Sequence, residues 1–154
     1  MATIHSEQTR DCNCLALRQA ARHVTQYYDQ FLAPVGLRTT QFSILAKLKR
    51  LGPMTINALA ADLVVDRTTL GRTMLPLERD GLVRIAQGRA DRRSKELQLT
   101  AAGAERLRAA VKQWAKAQAG FEAAFGGERA ADLRALLRAV VASGPGGERA
   151  DAAG

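Results

Sequence analysis

Asp66-Arg67-Thr68-Thr69-Leu70-Gly71-Arg72-Thr73-Met74-Leu75-Pro76-Leu77-Glu78-Arg79-Asp80-Gly81-Leu82-Val83 is the stretch that decides the fold. Asp66 suits an N-cap, because a short carboxylate accepts the free N–H groups of a first helical turn. Leu70, Met74 and Leu77 recur at i, i+4 and i+7 and so share one side of a helix, which Gly81 closes. The side left over at the start of this helix carries Arg67, Thr68, Arg72 and Thr73. Pro76 has no N–H and is expected to kink the helix in its second half, away from that polar turn.

Downstream the hydrophobic period falls from near 3.6 to 2. Residues 82 to 86 read as a short strand, and Leu97 and Leu99 alternate with polar neighbours on a second one. Between them runs the polar, basic loop Gln87-Gly88-Arg89-Ala90-Asp91-Arg92-Arg93-Ser94. Asp91 is placed to pair with Arg93 and stiffen this turn. Thr100 then caps a long helix expected to bury Leu107, Val111, Trp114 and Phe121, and Gly126-Gly127 breaks it. A last helix carries Leu133, Leu136, Leu137 and Val140, and the Gly, Pro and charge of 144–154 read as a disordered tail.

Upstream, Leu17, Ala20, Val24, Tyr27, Tyr28 and Phe31 mark an amphipathic helix over about 12 to 33, ended by Pro34 and Gly36. A second helix starts after Thr39 or Thr40 and carries Phe42, Leu45 and Leu48 up to Gly52-Pro53. Thr55 caps a short third helix with Ile56, Leu59, Ala60 and Leu63.

The balance of charge narrows the partner. Lys+Arg is 23 against 15 for Asp+Glu, a net charge of +8 with a pI near 10.3. That points to a polyanion, either nucleic acid or an acidic membrane surface. A membrane-surface protein needs a cationic helix face opposite Trp, Phe and Leu. The basic residues cluster instead on a helix start and a hairpin, which favours DNA. No apolar run is long enough to span a membrane, and residues 1 to 10 lack the hydrophobic stretch of a secretory signal. With only Cys12 and Cys14, the chain reads as cytoplasmic. There is no phosphate loop, no His-Glu-x-x-His and no Gly-x-Ser-x-Gly, and no paired carboxylates lie near His5 or His23, so catalysis is not expected. No cofactor or resident metal is expected; the Cys-x-Cys pair lacks a firm third ligand.

Two short helices followed by a basic hairpin form a winged helix-turn-helix. The major groove admits one helix whose first residues reach base edges. Arg67, Thr68, Thr69, Arg72 and Thr73 are the candidates for that role. Arg89, Arg92 and Arg93 are long enough to enter an adjacent minor groove or to hold phosphates.

The stretch from Asp66 to Val83, together with Asp91-Arg92-Arg93 and Leu97-x-Leu99-Thr100-x-x-Gly103, resembles the recognition helix and wing signature of the MarR (multiple antibiotic resistance regulator) family. The resemblance runs over roughly 12 to 143 and implies a mainly α fold of six helices and a two-stranded wing. Residues 1–143 are expected as a single unit, with 37–99 binding DNA and 12–35 and 100–143 joining two copies. The family implies a homodimer on a near-palindromic operator, usually a repressor, with an effector or an oxidant that alters its affinity. It also implies a small-molecule pocket, for which Arg18, Arg22, His23, Tyr27 and Phe42 are candidates, the ligand being aromatic or phenolic. Trp114, Leu133, Leu136, Leu137 and Val140 are candidates for the dimer surface, Trp114 equally for the core.

Cys14-Leu15-Ala16-Leu17 resembles the start of the first helix in the hydroperoxide-sensing branch of this family. Cys12 and Cys14 are therefore candidates for an oxidant or metal switch. Where that branch has activating tyrosines on the second helix, this chain has Thr39 and Phe42.

Overall fold

A computed structural model describes residues 8–143; the tail expected over 144–154 lies outside them. The elements are α1 (Asn13–Leu32), α2 (Thr39–Leu51), β1 (Met54–Thr55), α3 (Ile56–Leu63), α4 (Arg67–Arg79), β2 (Val83–Gln87), β3 (Lys95–Leu99), α5 (Ala101–Phe125) and α6 (Gly127–Ser143). Short 3-10 turns flank α1 at Gln8–Asp11 and Ala33–Val35. The chain divides into two units between Ala115 and Lys116, within α5.

The first unit is a helical core with a small sheet at its edge. Thr55 and Asp66 each cap a helix as their side chains suggest: Ala58 N donates to Thr55 Oγ1 at 3.1 Å, and Thr69 N to Asp66 Oδ1 at 2.8 Å. The start of α2 is held from a distance, because Asp29 on α1 accepts from both the N–H and the hydroxyl of Thr39, at 2.7 and 2.6 Å. Leu32, Ile44, Leu45, Leu59, Leu70, Leu77, Val83 and Leu97 are fully buried and weld α1, α2, α3, α4 and the sheet into one core. Burying a leucine or isoleucine side chain is worth about 1.5–3 kcal/mol each, so this interior fixes where α4 lies. Lys47 on α2 and Asp62 on α3 add an ion pair at 2.6 Å.

The two expected wing strands, β2 and β3, form a hairpin, and β1 joins them as a third strand of the same sheet. The order is β1-β3-β2, all antiparallel, with Met54 opposite Leu97, Thr55 opposite Glu96, and Ile85 also opposite Leu97. A two-residue strand is too short to show any alternation, which is why β1 is silent in the sequence. The base of the wing is tied to α4: Leu82 N donates to Leu77 O at 2.9 Å, and Thr100 Oγ1 donates to Gly81 O at 2.6 Å. Gly103 makes room for this joint, since a Cβ there would lie 2.0 Å from Leu82 O.

On α5, Leu107 and Ala110 are buried and Trp114 packs against the same core. Val111, expected inside with them, is 44% exposed: the buried row runs 107, 110, 114, and position 111 falls at its rim. α4 runs as one helix from Arg67 to Arg79 with Pro76 inside it, and Asp80 N donates to Pro76 O at 2.9 Å.

The second unit holds the end of α5 and α6. Gly126 joins them at φ +101, a backbone region that suits glycine. Phe121 stacks on Phe125 at 5.5 Å between ring centres, and the Arg129 guanidinium lies 4.3 Å above the Phe125 ring. Arg134 pairs with Glu122 at 3.4 Å. Leu133 is half-buried, whereas Leu136, Leu137 and Val140 are exposed.

Candidate nucleic-acid interface

The start of α4 is organised by one carboxylate. Asp66 Oδ1 accepts from Thr69 N at 2.8 Å while Asp66 Oδ2 accepts from the Thr69 hydroxyl at 2.6 Å. These two bonds, the hydroxyl's first, hold the Asp66 carboxyl below its ordinary pKa. They also commit the Thr69 hydroxyl hydrogen inside the chain. Of the five polar residues expected to read DNA from α4, Thr69 thus stands apart as part of the cap. Thr73 is half-buried and its hydroxyl donates to Thr69 O at 3.1 Å. Arg67, Thr68 and Arg72 are exposed, and among the described residues no hydrogen bond or ion pair within the chain holds their side chains.

The tip of the wing is built on Asp91. Its carboxylate accepts from Arg93 N at 2.9 Å, its carbonyl accepts from Ser94 N and Ser94 Oγ at 3.1 and 2.8 Å, and Gly88 N closes the loop on Ser94 O at 2.9 Å. Among the described residues the bond from the Asp91 carboxylate to Arg93 is made to the backbone N–H and not to the guanidinium. An aspartate two residues before a free amide forms such a turn locally, which leaves the charged end of Arg93 available. Gln87 Nε2 adds a bond to Arg92 O at 2.9 Å.

The wing arginines separate. Arg93 lines a groove of about 400 Å³ together with Arg67, Lys95, Ser94, Thr55, Ile56 and Asn57. This groove joins the first residues of α3 and α4 to the wing, so Arg67, Arg93 and Lys95 line one space. Arg89 lines a different groove of about 390 Å³, with Lys49, Gln98, Thr100 and the first turn of α5. Arg92 is exposed at the tip. The basic loop is one run in sequence and two places in space. Lys95, Thr55 and Asn57 line the same groove as Arg67 and Arg93 without standing out in the sequence, where Lys95 only extends the basic run and Thr55 only opens a helix.

Two further features concern α3 and α4 themselves. Val64, which ends α3 ahead of the turn into α4, has φ +55 and is 66% exposed. A β-branched residue in the left-handed region is strained. Gly71 sits exposed inside α4, where glycine costs about 1 kcal/mol relative to alanine.

The remaining candidates are dispersed. Arg18, Arg22 and His23 are exposed on α1, and Tyr27 is half-buried, edge-on to Tyr28 and Phe31 at 5.7 and 5.2 Å. Phe42 stacks with Trp114 at 6.1 Å, and Trp114, half-buried, packs against the core of its own chain. None of these six lines either groove described above. Cys12 and Cys14 are both free and exposed, and Cys12 caps α1 by accepting from Leu15 N at 3.4 Å. Among the described residues no group of three or more His, Cys, Asp or Glu is gathered to hold a metal, and no helix is long and apolar enough to cross a membrane.

Comparison with known proteins places this architecture. Residues 37–95, from just ahead of α2 to the first residue of β3, match the MarR family. The uncharacterised HTH-type transcriptional regulator YwoH of Bacillus subtilis (strain 168) is 37% identical over 84 residues, which span 54% of this chain and 61% of that relative. A crystal structure of the transcriptional regulator MosR of M. tuberculosis is 38% identical over 87% of this chain and 98% of that one, with a TM-score of 0.74. MosR in complex with DNA gives 42% identity over 86% and 98%, with a TM-score of 0.73. The transcriptional repressor CouR bound to a 23-mer DNA duplex is 25% identical over 91% and 99%, with a TM-score of 0.78.

Proposed function

The chain belongs to the MarR family, and from that premise we propose that it is a sequence-specific double-stranded-DNA-binding transcriptional regulator, acting in the cytoplasm as a homodimeric repressor. The observation that carries the reading is the start of α4. A capped helix presents Arg67, Thr68 and Arg72 outward, beside a groove in which Arg67, Arg93 and Lys95 meet. In this reading Arg72 and Thr68 meet base edges in the major groove, while Arg93, Lys95 and Arg67 neutralise phosphates. Arg92 and Arg89 flank them on the wing. That MosR and CouR are both found on DNA supports the assignment.

The homodimer is proposed from the apolar surface that α6 leaves uncovered. Leu136, Leu137, Val140 and Val141 are 39–66% exposed, and Leu15 and Leu17 of α1 are 46% and 40% exposed. Two copies that cover such patches put two α4 helices on one duplex, with half-sites about 10 bp apart on a near-palindromic operator. As the signal we propose a small aromatic or phenolic ligand, with Arg18, Arg22, His23 and Tyr27 of α1 and Phe42 of α2 as its candidate contacts. It releases DNA by binding more tightly to the conformation whose α4 helices are misplaced, and a coupling of about 1–3 kcal/mol shifts affinity about 5- to 150-fold.

A second signal is favoured by one observation: the Cys12 and Cys14 thiols both lie exposed at the first turn of α1. Oxidation of that pair is the alternative switch.

Selection of duplexes from a random-sequence library by the purified protein, at two salt concentrations and with and without oxidant, tests the reading. One near-palindromic site that survives the higher salt supports it. Binding that is blind to sequence and collapses with salt overturns it. Release by oxidant that Cys14→Ser abolishes selects the thiol switch; release that persists in Cys14→Ser rejects it.

A further inference from the structure

We propose that Gly71 is a specificity-determining residue, the point where the bare backbone of α4 seats a thymine 5-methyl group of the operator; the proposal rests on α4 being the helix that enters the major groove. Gly71 has no intramolecular reason to be glycine. A Cβ built on it meets nothing within 4 Å, and its backbone is not in the positive-φ region. The other glycines up to Ala115 each have such a reason. Gly36, Gly52 and Gly81 sit at φ +74, +80 and +70, and a Cβ on Gly88 or Gly103 would come within 2.2 and 2.0 Å of Ser94 Oγ and Leu82 O.

Glycine weakens a helix interior, so at a position free of neighbours alanine is the better residue for the folded chain. What glycine alone supplies is room outside the molecule, for a group that must approach the backbone closely. Its surroundings say which group. Gly71 is exposed, one turn beyond Arg67 and Thr68 and one turn before Leu75. Leu75 is a large apolar side chain left 64% exposed on this polar helix, and Thr68 contributes a methyl. A shallow gap between Thr68 and Leu75, floored by a Cα, fits a small apolar projection. In the major groove that projection is the thymine methyl, which other proteins meet with alanine or the threonine methyl.

The test uses the full chain and a duplex selected from a random-sequence library by the wild-type protein. Gly71→Ala is expected to raise Tm by about 2–4 °C, because the helix gains. It is expected at the same time to weaken binding to the selected duplex about tenfold or more, the scale of one lost base contact, and to leave binding to a scrambled duplex unchanged. Replacing one operator thymine per half-site with uracil, which lacks the methyl, restores most of the loss in Gly71→Ala while weakening the wild type. Equal binding of Gly71→Ala and wild type overturns the proposal, as does a loss that no uracil replacement recovers. Arg72→Ala on the same duplex separates the two readings. If both variants bind as wild type, the assignment of α4 as the reading helix fails and with it the ground of the proposal; if Arg72→Ala loses binding while Gly71→Ala does not, only the role of Gly71 fails.

Discussion

The Asp66 carboxylate takes both the backbone N–H and the hydroxyl of Thr69, at 2.8 and 2.6 Å, and so fixes the first turn of α4. Asp66→Ala removes both acceptors. The expected result is a Tm lower by a few degrees and weaker binding to the selected duplex, because Arg67, Thr68 and Arg72 hang from that turn. Circular dichroism melting and a binding titration check it.

The same pair sets a pH dependence. The Asp66 carboxyl is held below its ordinary value by the Thr69 hydroxyl and N–H. A carboxylate depressed in the folded chain contributes stability above its unfolded pKa of about 3.9, and loses it as pH falls through the lower folded value. The capping contribution is therefore complete at neutral pH and fades only below about pH 4. An NMR titration that returns an Asp66 midpoint at or above 3.9 contradicts the hydrogen-bonded geometry.

Arg72 and Arg93 are expected to fail differently. Arg72→Ala removes a base contact and costs about 1–3 kcal/mol on the selected duplex while relaxing preference at one base pair per half-site. Arg93→Ala removes a phosphate contact in the groove it shares with Arg67 and Lys95. It weakens all duplexes alike and lowers the salt slope by about 1. Salt-dependent binding of the two variants to selected and scrambled duplexes distinguishes them.

Val64 sits at φ +55 with its side chain 66% exposed, so its strain is not offset by burial. Val64→Gly relieves the left-handed strain and gives back part of the gain through the freer unfolded chain. The expected net is about 0.5–1 kcal/mol of added stability, read by denaturant unfolding. A loss of stability would mean that the Val64 side chain makes contacts worth more than the strain.

Leu136 is 66% exposed on α6. Leu136→Glu is expected to leave the helical content intact and to shift the protein toward monomer, with a steep loss of operator binding. Sedimentation velocity checks it. An unchanged mass would remove this part of α6 from the proposed dimer surface.

Much of the fold is legible along the chain because its signals are local. Thr55 and Asp66 bond amides three residues on, Leu70, Met74 and Leu77 repeat within one helix, and Asp91 closes its turn two residues away. Gly81 and Gly126 stop helices because their backbone turns to positive φ. Such interactions depend on spacing alone, and so the helix starts, the hairpin and the basic helix-wing pattern follow from the sequence by itself.

What the sequence leaves open are encounters between distant segments. Nothing near Met54 announces that it pairs with Leu97, nothing near Phe42 that it stacks on Trp114, and nothing near Asp29 that it holds Thr39. The loop from Arg89 to Arg93 reads as one basic patch. The antiparallel register of β2 and β3 sends Arg93 to the start of α4 and Arg89 to the start of α5. A threonine that looks free to meet DNA proves to be bonded to the helix cap. Composition and periodicity determine which residues stand on a helix face or a turn. Only the packing of the core, which places each element against partners far along the chain, decides which of those side chains share a space and which remain free to bind.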